Sequence, residues 1–339
     1  MRYIPKTKII CTLGPASSKE TVLRKMVQAG MDIVRINFSH GNDAGRLAKL
    51  KTIRTINRKY RRHILLLADL EGPRIRIGYL EDHKPVLLEK NKTVYLIHGE
   101  KGRGIYLPID YKGSFLDIKG AEFLYLDDGN IILAIKKVTE DKITAKVIVG
   151  GNLKERKAVN IPGAKLKFPR ISEKDKKDLN FAVENKFDFI AQSFVREKRD
   201  VLEVRKRIAE KLPQCRIIAK IENREGIRKI DGIIDVSDGI MIARGDMGVS
   251  IPIYEVPLVQ KAIIKKCNAR KKMVITATQM LEHMVQYPTP TRAEVTDIAN
   301  AVLDGTNCVM LSAETAVGEH PVEAVKMMNQ IIKYTEMHQ

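Results

Sequence analysis

The 339-residue sequence predicts an α/β fold, an eight-stranded parallel β/α (TIM) barrel with an inserted small β-rich lid domain after strand 3. Three observations lead there. Short β-branched runs alternate with longer amphipathic stretches, those runs number eight, and one long interruption, when set aside, leaves close to the ~250 residues of a single barrel.

The eight candidate strands are residues 7–13, 33–37, 64–70, 189–192, 216–221, 239–243, 273–277 and 307–311. Helix-like stretches follow them, such as 256–270 and 292–304, where apolar residues recur three and four apart, and 321–337 after the last strand. The helical rhythm stops after the third strand. Short runs at 93–97, 131–138 and 143–149 alternate there with glycine-bearing turns. The expected division is therefore 1–76 and 168–339 as the catalytic barrel and 77–167 as the lid.

Composition narrows the function. At 44% apolar and 30% charged residues, the chain can bury a large core. No apolar run reaches the length of a membrane span and nothing near Met1 resembles a secretory signal, so the expected location is the cytoplasm, with no membrane partner. The formal net charge of +19 favours anionic ligands. Its basic runs, such as Arg58-Lys59-Tyr60-Arg61-Arg62, fall on solvated helix faces without interleaved stacking aromatics, so a nucleic-acid partner is not expected. Cys11, Cys215, Cys267 and Cys308 lack metal-ligand spacing and read as buried, reduced thiols. Cys11 and Cys308 are the one pair that adjacent strands could bring together.

Catalytic groups of such barrels come from the C-terminal ends of the strands. Here those ends are polar: Arg35, Asn37 and Ser39 at the second; Asp69 at the third; Ser193 after the fourth; Lys220 and Glu222 at the fifth. Arg244-Gly245-Asp246 follows the sixth, Thr278 the seventh and Glu314 the eighth. Lys220 and Glu222 are two apart, hence on one side of a strand, and Asp246 follows the neighbouring strand. Two carboxylates with few other ligands suit magnesium, and Arg35 and Lys220 are the cations that phosphoryl transfer needs. The competing reading is ordinary ion pairing at a barrel rim.

Several segments are similar to the pyruvate kinase family. They are Lys8-Ile9-Ile10-Cys11-Thr12-Leu13-Gly14-Pro15-Ala16-Ser17, Arg35-Ile36-Asn37-Phe38-Ser39-His40-Gly41, Ala219-Lys220-Ile221-Glu222-Asn223 and Ala243-Arg244-Gly245-Asp246-Met247-Gly248. Ala277-Thr278-Gln279-Met280-Leu281, Pro290-Thr291-Arg292-Ala293-Glu294-Val295 and Met310-Leu311-Ser312-Ala313-Glu314-Thr315 extend the match along the chain. The resemblance implies a glycolytic phosphotransferase moving phosphate from phosphoenolpyruvate to ADP, with pyruvate and ATP as products. It implies catalytic roles for Arg35, Lys220 and Thr278, with Thr278 linked to proton delivery. Substrate contacts are implied for Ser193, Arg244, Gly245, Asp246 and Thr278, and nucleotide contacts for Arg35, Asn37, His40, Arg76 and Lys157. Glu222 and Asp246 would hold Mg2+, with Mn2+ as a substitute.

Two departures from the family pattern matter. Potassium-dependent members have an acidic residue at the Arg74 position and bind the ion through positions matching Asn37, Ser39, Asp69 and the Leu70 carbonyl, whereas potassium-independent members have a lysine there. The expectation is that Arg74 fills the K+ site and that K+ is not required. The sequence also stops soon after the eighth helix, so a form without the usual C-terminal effector domain is expected, and a homodimer through the barrel helices stays open. Two alternatives remain compatible with these residues: another magnesium-dependent, enolate-forming barrel lyase, and an inactive paralogue acting as a binding protein.

Overall fold

The computed structural model describes residues 3–164 and 166–339. The chain divides into two compact units, one of Met1–Gly72, Glu173–Arg244 and Val256–Gln339, the other of Pro73–Ser172 and Gly245–Glu255.

The first unit is a closed barrel. Its strands are β1 (Lys8–Thr12), β2 (Ile33–Asn37), β3 (Leu65–Asp69), β4 (Phe189–Gln192), β5 (Arg216–Ile221), β6 (Gly239–Ala243), β7 (Met273–Ala277) and β8 (Cys308–Leu311). Neighbours pair in parallel around the ring, and β1 closes it against β8. The longer helices of this unit, taken in chain order, are α1 (Glu20–Ala29), α2 (Asp43–Lys59), α3 (Glu173–Glu184), α4 (Lys198–Ile208), α5 (Ile230–Val236), α6 (Val256–Ala269), α7 (Arg292–Leu303) and α8 (Pro321–Met337). Local chemistry sets their ends. At α7, Thr291 Oγ1 accepts the Glu294 N–H at 3.2 Å while Glu294 Oε2 accepts the Thr291 N–H at 2.8 Å, satisfying two otherwise orphaned donors. Proline at the first position of α8 lacks the N–H that a helix start could not use.

Every strand contributes to one interior cluster, which includes Ile10, Ile33, Leu67, Ala191, Ile218, Met241, Ile275 and Met310. Side chains alternate along a strand, so residues two apart from these share the barrel's inside. In β2 the inward column runs Ile33, Arg35, Asn37; in β5 it runs Ile218, Lys220, Glu222; in β3 it runs Leu67, Asp69. Each column is apolar at its start and polar at its end. The barrel is thus plugged by hydrocarbon at one end and lined with charge at the other.

Cys11 and Cys308 do lie on adjacent strands, but the register pairs Cys308 with Lys8 and Cys11 with Leu311. Three strand residues, about 10 Å, separate the two thiols along the ladder, beyond the ~7 Å limit between disulfide-bonded Cα atoms. All four cysteines are free and buried, and burial pushes the Cys308 thiol up to about 12, which leaves little reactive thiolate.

The second unit is built on a seven-stranded sheet in the spatial order Ile75–Arg76, Ala158–Asn160, Phe123–Leu126, Ile131–Val138, Lys142–Val149, Thr93–His98, Tyr106–Ile109. A separate pair joins Val86–Leu88 to Gly151–Leu153. Its own core includes Leu96, Leu107, Phe115, Leu124, Leu133 and Ile143, none exposed. Among the described residues of the chain, no helix is long and apolar enough to cross a membrane.

Candidate active site

In the barrel unit, the polar ends of β2, β3, β4 and β5 meet around one carboxylate. Asp69, 1% exposed, takes the Arg35 Nε at 2.5 Å on Oδ2 and the Lys220 Nζ at 3.0 Å on Oδ1. Lys220 also donates to Ser193 Oγ at 2.7 Å and lies 3.1 Å from Glu222 Oε1. Two hydrogen-bond acceptors and one ion-pair partner, from the ends of three neighbouring strands, therefore fix one ammonium group. The Ser193 hydroxyl donates in turn to the Leu70 carbonyl at 2.7 Å. Gly72 lies beside this contact at φ +71°, and a Cβ there would come within 2.9 Å of the Ser193 Cβ, so the turn needs glycine both for its backbone and for the close approach.

Arg35 is anchored at its far end as well, where Nη1 donates to Thr12 Oγ1 at 2.9 Å while that hydroxyl donates to the Leu311 carbonyl at 2.9 Å. Thr12 lies in the first family-like segment, whose sequence alone suggests no role for it. Its signal was its parity with Ile10, which turns it into the barrel. Glu222, equally buried, accepts the Phe194 N–H on Oε2 at 2.6 Å.

Burial alone would raise the Asp69 carboxyl, but Lys220 and Arg35 outweigh it and hold the group below its ordinary 3.8. A depressed carboxylate contributes stability that is complete above its ordinary value and is lost as pH falls through the folded-state value. Asp69→Asn should therefore be less stable than the parent at neutral pH, with the gap closing as the pH drops below 3.8. Denaturant titrations of both proteins across that range check it, and a gap independent of pH would contradict it.

The turn after β2 is held from beneath. Asn37 Oδ1 accepts the Ser39 N–H at 3.0 Å, and His40 N–H reaches back to the Asn37 carbonyl at 3.4 Å. The Phe38 carbonyl between them takes two cations, Arg46 Nη2 at 2.8 Å and Lys174 Nζ at 2.6 Å. Both cations are in turn paired with Asp178, at 2.8 and 2.7 Å, and Lys174 lies 3.3 Å from Glu71. The Arg46 guanidinium lies over the Phe38 ring at 4.1 Å. Nothing in the sequence pointed to Arg46, Lys174 or Asp178, because helices hide such partners at long separation.

Arg244 follows β6 and turns toward the exit of β7. Its Nε and Nη2 donate to the Thr278 carbonyl at 3.2 and 2.6 Å, Nη2 also reaches the Gln279 carbonyl at 3.0 Å, and Nη1 meets both oxygens of Asp297 at 2.8 and 2.6 Å. Asp297 was likewise absent from the sequence-based set.

The second unit holds the remaining candidates. Arg74 Nη2 pairs with Asp246 Oδ1 at 2.6 Å. The cations on Asp69 named above are Lys220 and Arg35. Lys157 Nζ lies 2.6 Å from Asp127 Oδ1, in a partly exposed pair. Such pairs are worth only about 0–1 kcal/mol, so a phosphate can displace the partner. Arg76 donates its backbone N–H to Asp110 at 2.6 Å and its Nη1 to the Arg156 carbonyl at 3.1 Å. Gly245 and Asp246 open this unit's last segment, directly after Arg244.

Magnesium fits the donor chemistry. Glu222 and Asp246 offer hard carboxylate oxygens only, the donor type that suits this ion.

A closed parallel β/α barrel with buried cations and carboxylates ordered at its strand ends has the architecture of a barrel enzyme. The family model for the barrel domain of pyruvate kinase matches residues 4–325, so the chain belongs to the pyruvate kinase family. It is 45% identical to a pyruvate kinase of Staphylococcus epidermidis over 337 residues, and 46% identical over 334 residues to those of Bacillus licheniformis and Geobacillus stearothermophilus. Each match covers 98% of this chain and 57% of the relative. The chain thus spans somewhat more than half the length of these relatives.

Proposed function

We propose that this chain transfers the phosphoryl group of phosphoenolpyruvate to ADP, yielding pyruvate and ATP, in the cytoplasm. The observation that carries the proposal is the Arg35–Asp69–Lys220 arrangement, in which one buried carboxylate fixes two cations at the polar end of the barrel. Phosphoryl transfer asks the protein mainly for position and for charge complementary to the moving group. Lys220, held by Asp69, Ser193 and Glu222, presents its charge with little reorganisation. Arg35, braced by Asp69 and Thr12, presents a planar fork suited to phosphate oxygens.

Glu222 and Asp246 would hold Mg2+, which would supply positive charge to complement the anionic reactants. Ser193, Arg244, Gly245 and Thr278 serve the substrate, and the Thr278 hydroxyl delivers the proton to the enolate carbon. Asn37, His40, Arg76 and Lys157 serve the nucleotide phosphates. Residues 77–167 act as the lid, with Lys157 exchanging Asp127 for a phosphate on closure.

Arg74 provides the permanent cation that replaces potassium at Asn37, Ser39, Asp69 and Leu70. What supports this is the permanent charge of a guanidinium at a position where potassium-dependent members of the family have an acidic residue. The test is one coupled assay with phosphoenolpyruvate, ADP and Mg2+, run with and without K+. Pyruvate formation that depends on ADP and changes less than twofold with K+ is expected. Many-fold activation by K+ would reject the role of Arg74, and pyruvate formation without ADP would favour a lyase.

A further inference from the structure

The exit of β7 is held in an unfavourable backbone conformation. Thr278 and Gln279 both have left-handed φ, at +69° and +52°, and a β-branched residue such as threonine strongly disfavours that region. Such a conformation persists only where the surroundings over-determine it, and it clusters at functional sites.

Two neighbours supply the restraint, one from each side of β7 in the barrel. From the β6 side, Arg244 binds the carbonyls of Thr278 and Gln279, with Asp297 gripping the back of the guanidinium through both oxygens. From the β8 side, Glu314 accepts the Leu281 N–H on Oε1 at 3.0 Å and the Ser312 N–H on Oε2 at 2.6 Å. Glu314 has no solvent exposure at all. A buried carboxylate costs heavily in solvation, and here its oxygens go to backbone amides, one in the Thr278 turn and one at the end of β8.

We infer that Glu314 is a positioning residue that, together with the Arg244–Asp297 pair, holds the strained 278–281 turn so that the Thr278 hydroxyl stands where the enolate is protonated. This rests on the proposed reaction. The chemistry is a proton relay: the Thr278 O–H bond breaks, a C–H bond forms at the enolate carbon, and a water molecule reprotonates the Thr278 oxygen and leaves hydroxide to the solvent. Glu314 touches neither reactant. Its action passes through the backbone of Leu281, three residues from Thr278.

The test uses Glu314→Gln, which keeps one acceptor and sets an amide NH2 against the other N–H. Thr278→Val, which keeps the β-branch and removes the hydroxyl, is combined with it. Glu314→Gln should lower kcat about tenfold or more with KM for both substrates within twofold, and should slow exchange of pyruvate methyl protons with D2O by a similar factor. The double variant should be no slower than Thr278→Val alone. Asp297→Asn should show the same pattern more weakly, which keeps the inference open to refutation if Glu314→Gln folds poorly. Amide hydrogen exchange at residues 278–283 should rise at least tenfold in Glu314→Gln while the other strands match the parent. Multiplicative losses in the double variant, or unchanged amide exchange in this turn, would overturn the positioning role. Absence of turnover in the parent protein would overturn the proposed reaction instead, and the amide exchange would still decide whether Glu314 restrains the turn.

Discussion

Lys220→Met is expected to lower kcat by roughly 10²- to 10³-fold while leaving KM for ADP within a few-fold. Methionine keeps the length and much of the volume of lysine, so the strand should still pack and the loss should report charge. The ammonium group is 3.0 Å from Asp69, 2.7 Å from Ser193 and 3.1 Å from Glu222, which places a fixed positive charge where barrel enzymes carry out their chemistry. In the proposed reaction, removing it would withdraw stabilisation from a phosphoryl group whose charge is redistributed in the transition state, more than from the bound ground state. Arg35 stays in place, because Asp69 and Thr12 hold it independently of Lys220. Steady-state kinetics with saturating Mg2+ check the result, and a fall of less than tenfold would remove Lys220 from the chemical step.

Asp178→Ala is expected to destabilise the protein by about 3–5 kcal/mol, read as a lower denaturant midpoint. Arg46 and Asp178 form an ion pair whose side chains are each 6% exposed, bridging α2 and α3. Deleting the carboxylate leaves the buried guanidinium over the Phe38 ring to Asp43, whose side chain is 69% exposed, and releases Lys174 from its closest carboxylate. Replacing both partners, as in Arg46→Met with Asp178→Leu, should recover much of the loss, since an apolar pair leaves no uncompensated charge. The single variant should also raise KM for ADP, because the Phe38 carbonyl that these cations hold lies between Asn37 and Ser39. If Asp178→Ala unfolded at the parent's midpoint, the buried pair would carry no structural weight.

The barrel was legible because its strands are β-branched runs closed by polar residues. β2, β4, β5, β6 and β7 begin and end where the pattern placed them, while β1, β3 and β8 lose a residue at one or both ends. The second unit was less legible. Ile75–Arg76, Phe123–Leu126 and Ala158–Asn160 are too short to show a period, and Tyr106–Ile109 contains Pro108, which argues against a strand. The parallel pairing of Thr93–His98 with Tyr106–Ile109 is also foreign to a short hairpin-like connection.

At the site, Lys220 and Glu222 could be placed together from their spacing alone, and the convergence of Arg35 and Asp69 follows from inward parity on adjacent strands. The restraint on Thr278 could not be read this way. Arg244 reaches Asp297 across 53 positions and Glu314 reaches Leu281 across 33, and both contacts depend on helix and turn orientations that no local pattern encodes.

The inward columns that change from hydrocarbon to charge give the strands an intolerance that the helices lack. Deleting a single residue within β5 would exchange Lys220 and Glu222 for their outward neighbours, turning ionic groups toward the surrounding helices and aliphatic ones into the lumen. Inserted or deleted residues in descendants of this chain should therefore accumulate in loops and helix ends and be purged from the eight strands, even where the fold itself could absorb them.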